Sequence, residues 1–356
     1  MFAPERYNTS KEENGMKKFV RIATVVLALS MSLSMVAGCK KDKKDDGKLK
    51  VGISIPTLQE ERWARDKETM EKACQDAGIE FVSNVADLDA QKQKSQCENM
   101  ISEGIDVLII APHDAAAAAA IVEDAVASGV KVISYDRLIT ATDKLDLYLS
   151  FDNVKVGELQ GEYFVNNVDK GNIVVLSGDP EDNNAKLFKQ GAMSKLQPKI
   201  DSGDYVVLNE QACQDWKAEE ALKHTEAALN KSTDIVGILA PNDGTAGGAI
   251  QALNKEGLAG SVVVTGQDAE LAAAQRILAG EQSMTVFKDT RELGKEAIKI
   301  AQDMFAKKEL NTQGQVVNNG VKDVPSVLLT PVAVDADNLK SVLIDSGYLK
   351  EADVMK

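Results

Sequence analysis

The chain has 356 residues, enough for two domains, and is 44% hydrophobic and 27% charged, the composition of a globular protein with sizeable cores. Its formal charge of -14, with no basic stripe in the part expected to fold, excludes nucleic acid as a partner. Two histidines, and four cysteines without a CxxC pair, exclude a zinc-type metal site.

In chain order, residues 1–38 read as a targeting leader, with 1–15 a polar stretch ahead of a second start at Met16. Lys17, Lys18 and Arg21 precede an apolar run that is short for a membrane span and closes on small residues. Val36-Ala37-Gly38-Cys39 resembles a bacterial lipobox, which implies cleavage before Cys39 and a lipid on its thiol. The polar run "KKDKKDDGK" then makes residues 39–47 a flexible tether. Cys74, Cys97 and Cys213 remain, an odd number that argues for buried thiols; a Cys74–Cys97 bridge is the alternative.

From residue 49 onward, strand and helix patterns alternate. Strands are predicted at 49–55, 80–84, 107–112 and 131–136, with helices at 62–78, 89–104 and 115–129. Each helix ends on a glycine: Gly78, Gly104 or Gly129. Asp114 is placed to cap the alanine-rich third helix. The pattern repeats, with strands at 172–178, 205–211, 235–241 and 262–268 and helices at 184–196, 217–230 and 244–257. Continuous apolar strands alternating with helices predict α/β architecture with two doubly wound parallel-sheet lobes. Later segments, "MTVFKD" (284–289), a helix near 290–306 and "SVLLTPV" (326–332), suggest further passages between the lobes. The glycines of "GTAGGAIQ" are expected to allow close helix–sheet packing.

Ligands of open parallel sheets sit beyond the carboxyl ends of the strands. The residues following the strands are Arg62 and Trp63, Asp136 and Arg137, Asp182 and Asn184, Trp216, Asn242, Asp268, and Lys288. Both tryptophans of the chain stand there, one per lobe, each beside charges. Two such rings can sandwich the apolar C–H face of a sugar while polar groups reach its hydroxyls in plane. Arg62, Arg137 and Lys288 balance Asp136, Asp182 and Asp268, which suits a neutral polyol. A phosphate site would show surplus cations or a glycine-rich loop opening a helix, and no GxGxxG or GK[ST] occurs.

The segments "LQEERWARD", "ISYDRLI", "SFDNVKVGELQ", "DPEDNNAKLF", "PNDGTAGGAIQALNKEGLAG" and "VTGQDAELAAAQRI" together resemble the D-xylose-binding proteins. These are type I periplasmic sugar-binding proteins of ABC importers, and the likeness covers roughly residues 48–347. It implies a pentose stacked between Trp63 and Trp216. It also implies polar contacts from Arg62, Asp136, Arg137, Asp182, Asn184, Asn242, Asp268 and Lys288. "IPTLQE", "NEQACQD" and Ala64 depart from the family's wording and bear on fit at one end of the sugar.

The resemblance further implies two lobes joined by three crossings that close on the ligand like a hinge, and delivery to a membrane permease driven by an ATPase. Crossings are expected near 151–155, 285–289 and 322–327, giving lobes of 48–153 plus 288–324 and 154–287 plus 325–347. The protein is then an extracytoplasmic, lipid-anchored monomer without cofactor or metal, and not an enzyme. The sequence leaves three alternatives. A glycosidase would use Asp136 and Asp268, but matching cations should hold such carboxylates ionised. A sensor subunit would present the sugar to a kinase or chemoreceptor with the same site. A repressor of the same fold would need a helix-turn-helix where the leader stands.

Overall fold

The structure, a computed structural model, describes residues 47–356. The leader, Cys39 and all of the expected tether but Gly47 lie outside the described residues.

The first lobe is built on β1 (Lys50–Ile55), α1 (Glu61–Ala77), β2 (Glu80–Val85), α2 (Ala90–Ser102), β3 (Val107–Ile110), α3 (Ala119–Ala127), β4 (Lys131–Tyr135) and β5 (Leu147–Phe151). The second holds α4 (Asn153–Asn167), β6 (Gly171–Ser177), α5 (Asn183–Asp201), β7 (Tyr205–Ala212), α6 (Ala218–Leu229), β8 (Ile235–Leu239), α7 (Asp243–Lys255), β9 (Val263–Val264), α8 (Leu271–Leu278) and β10 (Thr285–Phe287). The chain then returns through α9 (Thr290–Phe305), β11 (Val316–Asn318) and β12 (Asp323–Leu329), before β13 (Val332–Val334) and α10 (Glu351–Val354).

The larger sheet has the order β11-β12-β5-β4-β3-β1-β2, parallel except for the β11–β12 edge hairpin, and the smaller has β7-β6-β8-β9, all parallel. Burial on both faces explains the unbroken apolar strands. In β3, Val107 and Ile109 pack with residues of α1 and α9, while Leu108 and Ile110 pack with residues of α2 and α3. In β6, Ile173 and Val175 face α4 and α5, while Val174 and Leu176 face α6 and α7.

The predicted glycine stops hold: Gly78, Gly104 and Gly129 have φ of 66°, 83° and 78°. The alanine run behaves differently. Asp114 Oδ1 accepts from the Ala116 and Ala117 amides, as a cap does, yet α3 starts only at Ala119. Tertiary hydrogen bonds claim the preceding turn, since Ala115 N donates to Glu181 O of the second lobe and Thr140 N donates to Ala115 O. In "GTAGG", a Cβ on Gly248 would stand 2.0 Å from the Ala218 carbonyl oxygen. That glycine allows close packing of α7 on the start of α6, helix on helix rather than helix on sheet.

β12 pairs with β5 up to Leu329, so the chain leaves the larger sheet at Thr330–Pro331, after the stretch 322–327. The first four residues of the "SVLLTPV" run complete β12, and Pro331 follows its end. Cys74, Cys97 and Cys213 are buried free thiols, each pushed up to about 12 by burial. Among the described residues no helix is long and apolar enough to cross a membrane.

Candidate functional site

All ten residues singled out at the strand edges line one pocket between the two lobes, joined by Glu60, Phe188 and Gln267. The local chain explains how. β1 ends at Ile55, and the loop that follows delivers Arg62 and Trp63 on the first turn of α1. Asp136 directly follows β4 with φ 59°, a left-handed conformation that non-glycine residues rarely adopt. Its carbonyl is held there by three donors: Ser150 Oγ at 2.7 Å, Tyr148 OH at 2.9 Å and Asn184 Nδ2 at 3.0 Å. Asp268 and Trp216 are also left-handed, with φ of 98° and 58°. Such strain gathers at sites where surrounding structure fixes it.

Trp216 sits on a short 3-10 turn, Gln214–Trp216, after β7. Its indole lies directly over Gly178, where a Cβ would come within 2.1 Å of the ring. Phe188 meets the ring edge-on with centroids 6.2 Å apart. Trp63 is 1% exposed and shares the first-lobe core with Ile53, Ile55 and Leu149, while the Arg62 and Arg137 guanidinium carbons lie 4.5 and 5.1 Å from its ring centroid. The tryptophan set among charges is therefore both a core residue and a cavity wall, with arginines covering part of its π-face. Nε1 of Trp63 and of Trp216 is buried without a protein partner.

Charges from both lobes interlock around the cavity. Arg62 Nη1 lies 2.7 Å from Asp136 Oδ2 and 3.6 Å from Asp268 Oδ1, and its Nε donates to Asp66 Oδ2 at 2.9 Å. Lys288 Nζ stands 3.5 Å from Asp136 Oδ2 and 3.4 Å from Asp268 Oδ1. Arg137 Nε pairs with Asp182 Oδ2 at 2.9 Å across the lobes. Asp182 also caps α5 through the Asn184 amide at 2.9 Å, and Asn242 caps α7 through Thr245 at 2.9 Å. Both residues also line the cavity.

Burial opposes the charge on Asp136, but Arg62, Lys288 and Arg137 overcome it and hold the carboxyl below its usual range. Burial likewise opposes the Arg62 charge, yet Asp136, Asp66 and Asp268 hold the guanidinium well above its ordinary value. Asp182 goes the other way, because burial raises it more than Arg137 lowers it. The expectation that matching cations hold the site carboxylates ionised thus fits Asp136.

Three lining residues escaped the sequence reading. Phe188 lies four positions after Asn184 on α5, a spacing that puts both on one helix face. Gln267 adjoins Asp268, and its Nε2 donates to Asp268 Oδ2 at 3.1 Å. Glu60 is 6% exposed, and burial raises its carboxyl above the usual range. The three-against-three charge balance therefore has a fourth carboxyl beside it. Among the described residues no cluster of potential metal ligands occurs.

The chain matches the model of the periplasmic binding protein domain over residues 51–309. It is 41% identical to the D-xylose-binding periplasmic protein of Escherichia coli strain K12, with 94% of this chain and 100% of that protein covered. Among solved structures it is similar to a carbohydrate transporter solute-binding protein from Chloroflexus aurantiacus in complex with D-glucose, at TM-score 0.81 and 40% identity, covering 86% of this chain and 98% of that one. A second, from Clostridium phytofermentans with bound β-D-glucose, matches at TM-score 0.79 and 37% identity, covering 86% and 99%. The chain belongs to the periplasmic binding protein family and has its type I fold, that of a solute-binding protein rather than an enzyme.

Proposed function

We propose that the chain is the substrate-binding subunit of an ABC importer, and that it holds a neutral monosaccharide between Trp63 and Trp216. D-Xylose is the first candidate, given the identity to D-xylose-binding relatives. One observation carries the reading: aromatic, acidic, basic and amide groups from both lobes converge on one cavity, and both indole N–H groups there lack protein partners. A sugar offers what such a cavity needs, an apolar face for the rings and hydroxyls that donate and accept in plane. The interlocked acids and bases leave no surplus cation for a phosphate.

The lobes in this reading span 48–152 plus 288–329 and 153–287 plus 330–354, and they open and close about the three crossings. Ligand contacts from both sides favour the closed state, and closure is the signal a permease and its ATPase read. The protein acts as a monomer outside the cytoplasm, tied to the membrane by a lipid on Cys39. Calorimetric titration of the full chain with a panel of aldoses tests the binding. Saturable binding of at least one aldose is expected, and none across the panel contradicts the reading. Labelling of growing cells with a radioactive fatty acid tests the anchor: label should be lost in Cys39→Ala, and label that persists contradicts it.

A further inference from the structure

Gln59, Glu60 and Glu61 lie in and beside "IPTLQE", and each turns toward the second lobe. Gln59 Nε2 donates to the Asp215 carbonyl, next to Trp216, at 3.1 Å. Glu61 Oε2 accepts from Leu271 N at 2.9 Å. Glu60, between them, points into the cavity. One of its oxygens accepts from Gln59 Nε2 at 3.3 Å, while Oε2 is buried with no protein partner.

We infer that Glu60 is a specificity-determining residue that accepts a hydrogen bond from the exocyclic hydroxymethyl group of an aldohexose. This deepens the proposed function and rests on it. Gln59 is exposed and Glu60 is buried directly beside it, so the carboxyl stands where the cavity meets the rim formed by Gln59 and Asp215. A substituent projecting from the sugar ring reaches such a rim, whereas ring hydroxyls fall among the interlocked groups around Arg62, Asp136 and Lys288. A buried acceptor without a donor disfavours closure, so a ligand that supplies the donor is selected over one that does not. D-Glucose and D-xylose differ only in that hydroxymethyl group, which makes them the matched pair for the test. A carboxyl pressed toward its neutral form by burial also suits a hydroxyl, to which it can donate as well as accept.

The test is calorimetric titration of the full chain, as wild type, Glu60→Gln and Glu60→Leu, with D-glucose and D-xylose. Glu60→Leu should weaken D-glucose binding at least ~10-fold and D-xylose binding less than ~3-fold, with Glu60→Gln between wild type and Leu for D-glucose. Retained D-xylose binding itself reports that the fold is intact. Equal loss for both sugars, or no loss for either, overturns the assignment. A wild type that binds D-xylose but not D-glucose also overturns it, while leaving the proposed function standing. A wild type that binds no aldose removes both.

Discussion

Glu61 and Glu270 exchange helix caps across the two lobes. Glu61 Oε2 accepts from Leu271 N at the start of α8, and Glu270 Oε1 reaches Glu61 N at the start of α1, at 2.9 and 3.4 Å. Neither helix has a side-chain cap from its own N-cap residue. Each orphan N-terminus is thus satisfied by the opposite lobe, and only when the lobes meet. Glu61→Ala should remove a cap worth ~1 kcal/mol from the closed state, lowering sugar affinity about fivefold, chiefly through faster release. Stopped-flow dissociation and calorimetry check this, and unchanged release would contradict it.

The same contact makes the closed form pH-sensitive. Burial, with Asp243 and Asp268 adding repulsion, pushes Glu270 up to about 8, and burial pushes Asp243 up to about 7. In the unfolded chain both ionise near ~4. Between those values the folded protein binds more protons than the unfolded one. The stability these two groups contribute is therefore fully present below the unfolded pKa and is lost as pH climbs toward about 8. Glu270→Gln keeps an acceptor for Glu61 N while removing one titration. Thermal melts from about pH 5 to about pH 8 should show a downward slope in wild type and a shallower one in the variant; a rising slope would contradict the assignment.

The two tryptophans should respond differently to truncation. Trp216 rests on Gly178 and Phe188 at the cavity wall, so Trp216→Ala should cost binding ~2 kcal/mol or more, about 30-fold. Trp63 is 1% exposed in the large first-lobe core, whereas Trp216, 6% exposed, packs in a smaller cluster with Val156, Ala185, Phe188, Met284 and Val286, so Trp63→Ala should lose affinity and also cost more stability than Trp216→Ala, ~3 kcal/mol. Titration paired with denaturant unfolding of each variant separates the two effects.

Asp136 and Asp182 form a second contrasting pair. Asp136 faces Arg62 and Lys288 and is held charged, so Asp136→Asn leaves two buried cations short of a partner and should cost ~3–5 kcal/mol of stability. Asp182→Asn keeps an oxygen for the Asn184 amide and meets a group whose pKa burial already raises. Its cost should be smaller, and equal losses in urea unfolding would show that the charge on Asp136 is not what matters.

The alternation of apolar strands and helices was legible because burial on both sheet faces leaves continuous apolar runs. The ten cavity residues were legible because parallel sheets bring their carboxyl edges together. β5 and α4 were not picked out as elements: only Asp152 separates them, without a glycine or proline to mark the break. The start of α3 was misplaced because Ala115 spends its backbone groups on Glu181 and Thr140, a tertiary choice that alanine's helix propensity does not reveal. Glu60 and Gln267 were passed over because each adjoins a residue with a louder signal. Phe188 reads as core until α5 turns that face to the cavity.

A crystal structure of the protein grown with D-xylose or D-glucose decides whether the two indoles sandwich a sugar. One sugar ring is expected between the Trp63 and Trp216 indoles, at about 4 Å from each, with its hydroxyls on Asp136, Asp268, Asn242 and Lys288. A sugar bound elsewhere, or a closed protein whose two indoles touch no part of it, would contradict it.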